Sequence, residues 1–218
     1  GVSDHSLRAL GAQRGMSDDD LSALLTRVGP ALESSRGAIM PDVAVDGTGL
    51  GAARIAHTMA EASFSVVSAG ALGIDAERTP LASTEPGVAT TPVAVVVATM
   101  VLAPDRCGRW LRRGVRHLPV VWLDTEVYVG PLIDPGITAC WHCIEMARCD
   151  ADPARRALVT QVAGRPAATE TNRFTQEVAL RVARWLDASD APPGGTALVF
   201  RASSGRWRRE ATTPHAEC

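Results

Sequence analysis

Two cysteines near residue 140 have the types and spacing of metal ligands. Cys140 and Cys143 are separated by two residues and follow a segment that contains proline and glycine. Two thiolates at this spacing can face one soft cation, but a tetrahedral zinc site needs further ligands. The chain ends with His215 and Cys218, where a second ligand pair can begin. The pattern favours a metal site, and two ordinary buried thiols are the alternative interpretation.

A glycine-rich turn at Gly47, Gly49 and Gly51 follows a short apolar strand pattern and precedes a helical pattern. Such a turn lets the backbone approach a phosphate, and the N-terminus of the helix favours an anion. A dinucleotide site also needs an acidic residue about 20 positions later, to bind the ribose. Ser68 and Ala69 stand there instead. We therefore predict a structural turn without NAD.

The composition excludes several classes of function. All 22 basic residues are arginine, so any mechanism that requires a lysine is excluded. A formal charge of −2 and a pI near 6.2 predict no binding to nucleic acid or to an anionic membrane. The five unevenly spaced cysteines do not indicate a disulfide framework. Since neither a signal peptide nor a long apolar run is present, we expect a cytoplasmic protein.

The periodicity of apolar residues divides the chain into three parts. Residues 1–35 show helical patterns over 6–13 and 17–28 and predict a small helical unit. Residues 38–190 alternate strand and helix patterns, which predicts a Rossmann-like α/β domain: a mostly parallel sheet with helices on both faces. Residues 191–218 predict a closing hairpin and a tail. The predicted strands of the sheet cover 41–45, 64–68, 92–102, 118–123 and 127–133, and its helices cover 52–62, 105–113, 152–161 and 169–186.

The run from Val129 to Cys143, together with the glycine turn and the histidine-cysteine end, resembles the ThiF-like partner proteins of YcaO cyclodehydratases. The resemblance covers essentially the whole chain. It implies a ThiF/MoeB-type fold and a role in the biosynthesis of thiazole/oxazole-modified peptides. In that role the protein binds the leader of a precursor peptide and presents it to a YcaO-type enzyme, which uses ATP to close Cys, Ser or Thr side chains into azolines.

The resemblance also implies a structural zinc site. The zinc pair of the family falls on Cys140 and Cys143, and its terminal His-x-x-Cys falls on His215 and Cys218. We therefore expect Cys140, Cys143 and Cys218 to bind zinc within about 4 Å of one another. The fourth ligand is expected to be a cysteine just after Cys218, with His215 as the fallback.

A partial winged helix for peptide recognition is implied for residues 1–35. The helical pattern over 17–28 would flank the leader, which makes its apolar residues the candidate peptide contacts: Leu21, Leu24, Leu25 and Val28. The strands that precede these helices in the family are expected to be missing. The resemblance further implies a homodimer.

Departures from the adenylating relatives argue against catalysis. Leu50 and Ala52 replace the last two glycines of the family's loop, and the segment 98–101 lacks the aspartate that holds magnesium and ATP. Without that carboxylate and without lysine, the electrostatic stabilisation of adenylyl transfer is lost. We expect a non-catalytic scaffold that binds neither ATP nor NAD. The alternatives are a divergent ThiF-like adenylyltransferase, a Rossmann oxidoreductase, and a family member with a role outside peptide natural products.

Overall fold

The computed structural model describes residues 13–24, 26–27, 42–68, 92–187 and 191–218. Its contacts separate two compact units, Gly1–Ile39 and Met40–Cys218. In the first unit the described positions from 18 to 27 are helical, and the Ser17 hydroxyl caps this helix by accepting the backbone N–H of Asp20 at 3.1 Å. The helix expected at 6–13 lies outside the described residues except at its last position.

The second unit contains one seven-stranded sheet with the order β2-β1-β3-β4-β5-β6-β7. Its strands are β1 (Asp42–Asp46), β2 (Ser65–Ser68), β3 (Val93–Thr99), β4 (Arg116–Trp122), β5 (Glu126–Val129), β6 (Thr196–Arg201) and β7 (Arg206–Ala211). The closing hairpin is therefore continuous with the sheet. Strands β2, β1, β3 and β4 pair in parallel, whereas each pairing from β4 to β7 is antiparallel.

The expectation of a mostly parallel sheet is thus wrong for its second half. Only three residues, 123–125, separate β4 from β5. A connection between parallel strands needs about a dozen residues or more, so this short turn forces an antiparallel pair. The strand expected over 127–133 correspondingly ends at Val129, and Ile133 forms an isolated bridge with His117.

Five helices are described in this unit; those that pack on the sheet cover both of its faces, as predicted, although the apolar pattern had not predicted α3. They are α1 (Gly49–Glu61), α2 (Pro104–Arg112), α3 (Trp141–Ala151), α4 (Arg155–Val162) and α5 (Asn172–Leu186). Successive residues of β3 face opposite sides of the sheet and so belong to two different hydrophobic cores. Val95 and Val97 pack with α1 and α5, whereas Ala94 and Val96 pack with α2 and α3. None of the described helices is long and apolar enough to cross a membrane.

Candidate metal centre and glycine turn

The three cysteines expected to bind zinc lie together, with Cys143 buried, Cys140 half-buried and Cys218 exposed. The Sγ atom of Cys140 is 3.6 Å from the Sγ atoms of both Cys143 and Cys218, and all three sulfurs lie within 4.8 Å of one another. Three thiolates at about 2.3 Å from one tetrahedral zinc ion lie about 3.8 Å apart. The type and spacing of these donors therefore fit three of the four ligands of a zinc ion.

The first two sulfurs are positioned by the start of helix α3. Cys140 is the N-cap residue and Cys143 lies in the first turn, so their side chains share one face of the helix. The apolar pattern had predicted no helix at these residues, but the helix begins at Trp141. The Trp141 ring is buried, and its Nε1 donates a hydrogen bond to the Leu102 carbonyl at 2.8 Å. This anchor fixes the part of the backbone that carries both cysteines.

The C-terminal tail brings Cys218 to this helix. His215 does not join the sulfurs: its Nε2 is 2.8 Å from Asp150 Oδ2, and its Nδ1 accepts the backbone N–H of Glu217 at 3.2 Å. Because both ring nitrogens have other partners, the fallback role of His215 as the fourth ligand is not met in this geometry. His215 instead connects the tail to α3 through Asp150.

The thiols of the cluster compete for protons. Burial raises the pKa of Cys143, but the backbone amide of His215 and the neighbouring thiols oppose it, and the net pKa is lowered. The hydrogen bond with Cys143 raises the pKa of Cys218 to about 12. A metal ion replaces the protons of such a cluster and makes every sulfur a thiolate.

At the glycine turn, a carboxylate from another part of the chain lies at the N-terminus of α1. The Gly51 backbone N–H donates to Glu170 Oε1 at 2.8 Å, and the Thr99 hydroxyl donates to Glu170 Oε2 at 3.3 Å. A Cβ atom on Gly49 would lie 2.7 Å from the same Oε1 atom. Glu170 therefore lies where the helix N-terminus would otherwise attract an anionic ligand. Nothing in the local sequence pattern had indicated this residue.

The other two glycines are required for packing. A Cβ atom on Gly47 would lie 2.7 Å from the Val97 carbonyl oxygen, and one on Gly51 would overlap the indole ring of Trp122. Both positions therefore let the turn lie directly against β3 and β4. These contacts give the turn a structural role.

Arg106, at the same end of the sheet, is already paired with other residues of the protein. Arg106 donates to the Asp46 carboxylate at 2.8 Å and to the Val97 carbonyl at 2.9 Å. The second oxygen of the Asp46 carboxylate accepts the Trp110 Nε1–H at 2.9 Å. The Arg106 charge is thus neutralised beside the ends of β1 and β3. Because the partners are distant in sequence, motif spacing does not reveal this network.

The candidate peptide contacts are described only in part. Leu21 is buried, whereas Leu24 is 45% exposed. The Leu25 side chain and Val28 lie outside the described residues.

No protein-family model and no curated protein matches this chain. Solved structures do match its fold. A heterocyclase in complex with substrate and cofactor has a TM-score of 0.59 and 18% identity, covering 96% of this chain and 30% of its own. The heterocyclase TruD has a TM-score of 0.56 and 17% identity, covering 98% of this chain and 35% of its own. The E. coli microcin synthetase McbBCD complex has a TM-score of 0.57 and 10% identity, and the match covers 100% of this chain and 83% of the matched chain of the complex.

This chain spans about a third of the length of the two heterocyclase chains. At such identities the likeness concerns the fold. The resemblance to ThiF-like cyclodehydratase partners, first drawn from the Val129–Cys143 run, is confirmed at that level.

Proposed function

We propose that this protein binds the leader of a precursor peptide and presents the peptide to a separate YcaO-type cyclodehydratase. The observation that carries the proposal is a fold shared along 96–100% of this chain with heterocyclases and with a microcin synthetase complex. The partner enzyme would use ATP to activate backbone amides and would close Cys, Ser or Thr side chains into azolines. This protein would act through binding, as a homodimer.

The proposed role is not catalytic, and the contacts of the glycine turn support this part. Glu170 places a negative charge at the N-terminus of α1, where it would repel a phosphate. Arg106 is paired with Asp46, and the chain has no lysine. Adenylyl transfer depends on cations that stabilise the phosphate charge, so a site with these features is unsuited to it.

The proposed zinc is structural. Cys140, Cys143 and Cys218 would supply three of its four ligands, and the bound ion would join the C-terminal tail to the start of α3. Short terminal segments are poorly ordered unless they are held in this way. The His215–Asp150 contact already brings the tail to the helix, and the metal would add its binding free energy to folding.

Leader binding is assigned to the segment 17–28, which the sequence predicts to be helical, with Leu21, Leu24, Leu25 and Val28 as the contacts. A half-exposed leucine such as Leu24 can be changed with little effect on folding, which makes it suitable for a test.

Isothermal titration of the full chain with the leader half of a candidate precursor peptide, chosen by searching near the gene for a short open reading frame rich in Cys, Ser and Thr codons, tests the proposal. We expect the Leu24→Asp substitution to weaken binding by about tenfold or more, because a charge replaces an apolar contact. Leu158 on α4 is 50% exposed and lies in the other unit, so Leu158→Asp is the matched control and should bind as the wild type does. Absence of wild-type binding, or equal losses in both variants, would contradict the proposal.

A further inference from the structure

Strand β7 forms one edge of the seven-stranded sheet. It is the last strand in the sheet order, and among the described residues it pairs only with β6. An edge strand presents a row of backbone N–H and C=O groups that another extended chain can bind. None of the residues of β7 belongs to the cysteine cluster or to the glycine turn.

The register of the hairpin shows which backbone groups of β7 bind β6. Thr212 donates its N–H to the Gly195 carbonyl at 2.7 Å, so these two residues form a hydrogen-bonded pair just beyond the strands. On the other side of β6, Ala202 donates to the Thr125 carbonyl at 3.0 Å, so the even-numbered residues of β6 bind β5. The odd-numbered residues of β6 therefore bind β7, in agreement with the Gly195 contact.

This alternation leaves the backbone groups of two β7 residues facing outward. The odd-numbered residues of β6 lie opposite Arg206, Arg208 and Glu210. Trp207 and Arg209 alternate with these three, so their N–H and C=O groups point away from the sheet. Each of the two offers one donor and one acceptor to an added antiparallel strand.

The side chains of β7 make this edge basic. Arg208 is bound to Glu126 and Glu210. Arg206 and Arg209 are exposed, and neither has a carboxylate partner among the described residues. Uncompensated positive charge on an edge strand repels basic strands and disfavours apolar ones. The same charge favours a strand that carries carboxylates.

The Trp207 ring, between these two arginines in sequence, is held in place. Its Nε1 donates to Glu177 Oε1 at 2.9 Å, the Phe200 ring centroid lies 5.2 Å from its own, and the Arg181 guanidinium lies over it at 5.2 Å. The ring is only partly buried and lines, with Arg209, a cavity of about 180 Å³. Because residues directly opposite in a sheet share a face, an apolar side chain opposite Trp207 can pack on this ring.

We propose that β7 binds an extended, acidic segment of a partner protein by strand addition. The backbone of the segment would pair with the outward groups of Trp207 and Arg209. Carboxylates opposite Arg206 and Arg209 would neutralise these charges, and a small apolar side chain would lie opposite Trp207. A second copy of β7 does not fit this description, because the strand carries three arginines and one glutamate. This surface is distinct from the leader contacts, all of which lie in the first unit.

Amide NMR of the isotope-labelled full chain with the capped peptide Thr-Glu-Thr-Val-Glu-Thr tests the assignment. In an antiparallel register its glutamates lie opposite Arg209 and Arg206, and its valine lies opposite Trp207. We expect the amide signals of Trp207 and Arg209 to move downfield, with a dissociation constant on the order of 1 mM. The peptide Thr-Lys-Thr-Val-Lys-Thr should bind about tenfold more weakly or worse, because its lysines face arginines.

N-methylation of the acidic peptide separates strand addition from charge attraction alone. A methyl group on the valine nitrogen removes the hydrogen bond to the Trp207 carbonyl and collides with β7, so it should abolish binding. The same group on the threonine that precedes the valine points to the solvent side of the added strand. That peptide carries the same charge and should bind nearly as well as the unmethylated one.

A charge reversal in the protein completes the test. Arg209→Glu keeps the backbone of β7 and should weaken binding of the acidic peptide about three- to tenfold. Arg109→Glu is the matched control, because Arg109 is an exposed arginine on α2, and it should bind as the wild type does.

Three results would overturn the assignment: unchanged Trp207 and Arg209 signals, equal affinity for the lysine peptide, or equal affinity for the two methylated peptides. Movement of these signals with protein concentration alone would also overturn it, since β7 would then pair with a second copy of itself.

Discussion

Glu170 Oε1 accepts a hydrogen bond from the backbone N–H of Gly51 at 2.8 Å, across 119 positions of the chain. The contact joins the N-terminus of α1 to the residues just before α5, and both helices pack on the same core. A carboxylate at this end of a helix is stabilised by the helix dipole and by the free amide. The protein therefore supplies its own anion to the glycine turn.

Removal of that carboxylate should destabilise the sheet domain. We expect Glu170→Ala to lower the free energy of unfolding by about 1–3 kcal/mol, because the Gly51 amide loses a charged acceptor. Glu170→Gln should lower the free energy of unfolding less, since its amide oxygen can still accept the hydrogen bond from the Gly51 N–H. Urea denaturation measures both. Glu61, which is 65% exposed on α1, provides the control Glu61→Ala, which we expect to change stability by less than about 0.5 kcal/mol. Equal losses at the two positions would contradict this role for Glu170.

The glycine turn should bind no nucleotide. Isothermal titration of the protein with ATP–magnesium and with NAD(P) should give no binding heat, because Glu170 repels phosphate and Arg106 is already paired. Measurable binding of either nucleotide, or release of AMP from ATP by the chain alone, would favour a divergent adenylyltransferase or an oxidoreductase instead.

Zinc should accompany the purified protein. Elemental analysis of freshly prepared, chelator-free material should find about one zinc per chain. Cys140→Ser should remove the ion and lower the midpoint of thermal unfolding by about 5–10 °C, with leader affinity nearly unchanged. Cys149→Ser, in the same helix but outside the sulfur cluster, is the control and should retain zinc. If the purified wild-type protein contained no metal, the zinc site would be contradicted and the three cysteines would be ordinary thiols.

Tyr128 is the only tyrosine of the chain, so its ionisation can be followed directly in the near-ultraviolet spectrum. Burial raises its pKa to about 12, whereas an unfolded tyrosine titrates near 10. Between these values the unfolded chain loses the proton that the folded chain keeps. The stability from this group is therefore complete below about pH 10 and declines as the pH rises toward 12. Spectroscopic titration should find the high pKa in the folded protein and about 10 in denaturant; a native tyrosine that titrates near 10 would contradict its burial.

The local pattern was sufficient for most elements of the fold. The apolar run over 92–102 correctly indicated a strand buried on both faces, since β3 contributes to two cores. The amphipathic pattern that ends at Leu186 correctly indicated a long helix, α5. The chemistry of the thiols indicated the cluster, and the resemblance identified Cys218 as its distant member, 75 positions after Cys143.

What the sequence did not reveal depends on contacts between distant residues. Glu126 binds Arg201 at 2.9 Å and Arg208 at 3.3 Å, and the local sequence pattern had indicated neither ion pair. These partners lie on β6 and β7, 75 and 82 positions away, and face Glu126 only because the closing hairpin adds to β5. Glu170 was missed for the same reason. Periodicity predicts which face of an element is buried, but not which polar group from elsewhere meets it.

Reconstituted peptide cyclisation tests the central claim most directly. A candidate precursor peptide, a YcaO-type enzyme from the same genome and ATP are incubated with and without this protein, and mass spectrometry follows the loss of one water for each azoline formed. The account predicts that the wild-type chain accelerates cyclisation at low peptide concentration, that Leu24→Asp does not, and that Leu158→Asp does. Cyclisation at the same rate with and without this protein would contradict the proposed scaffold role.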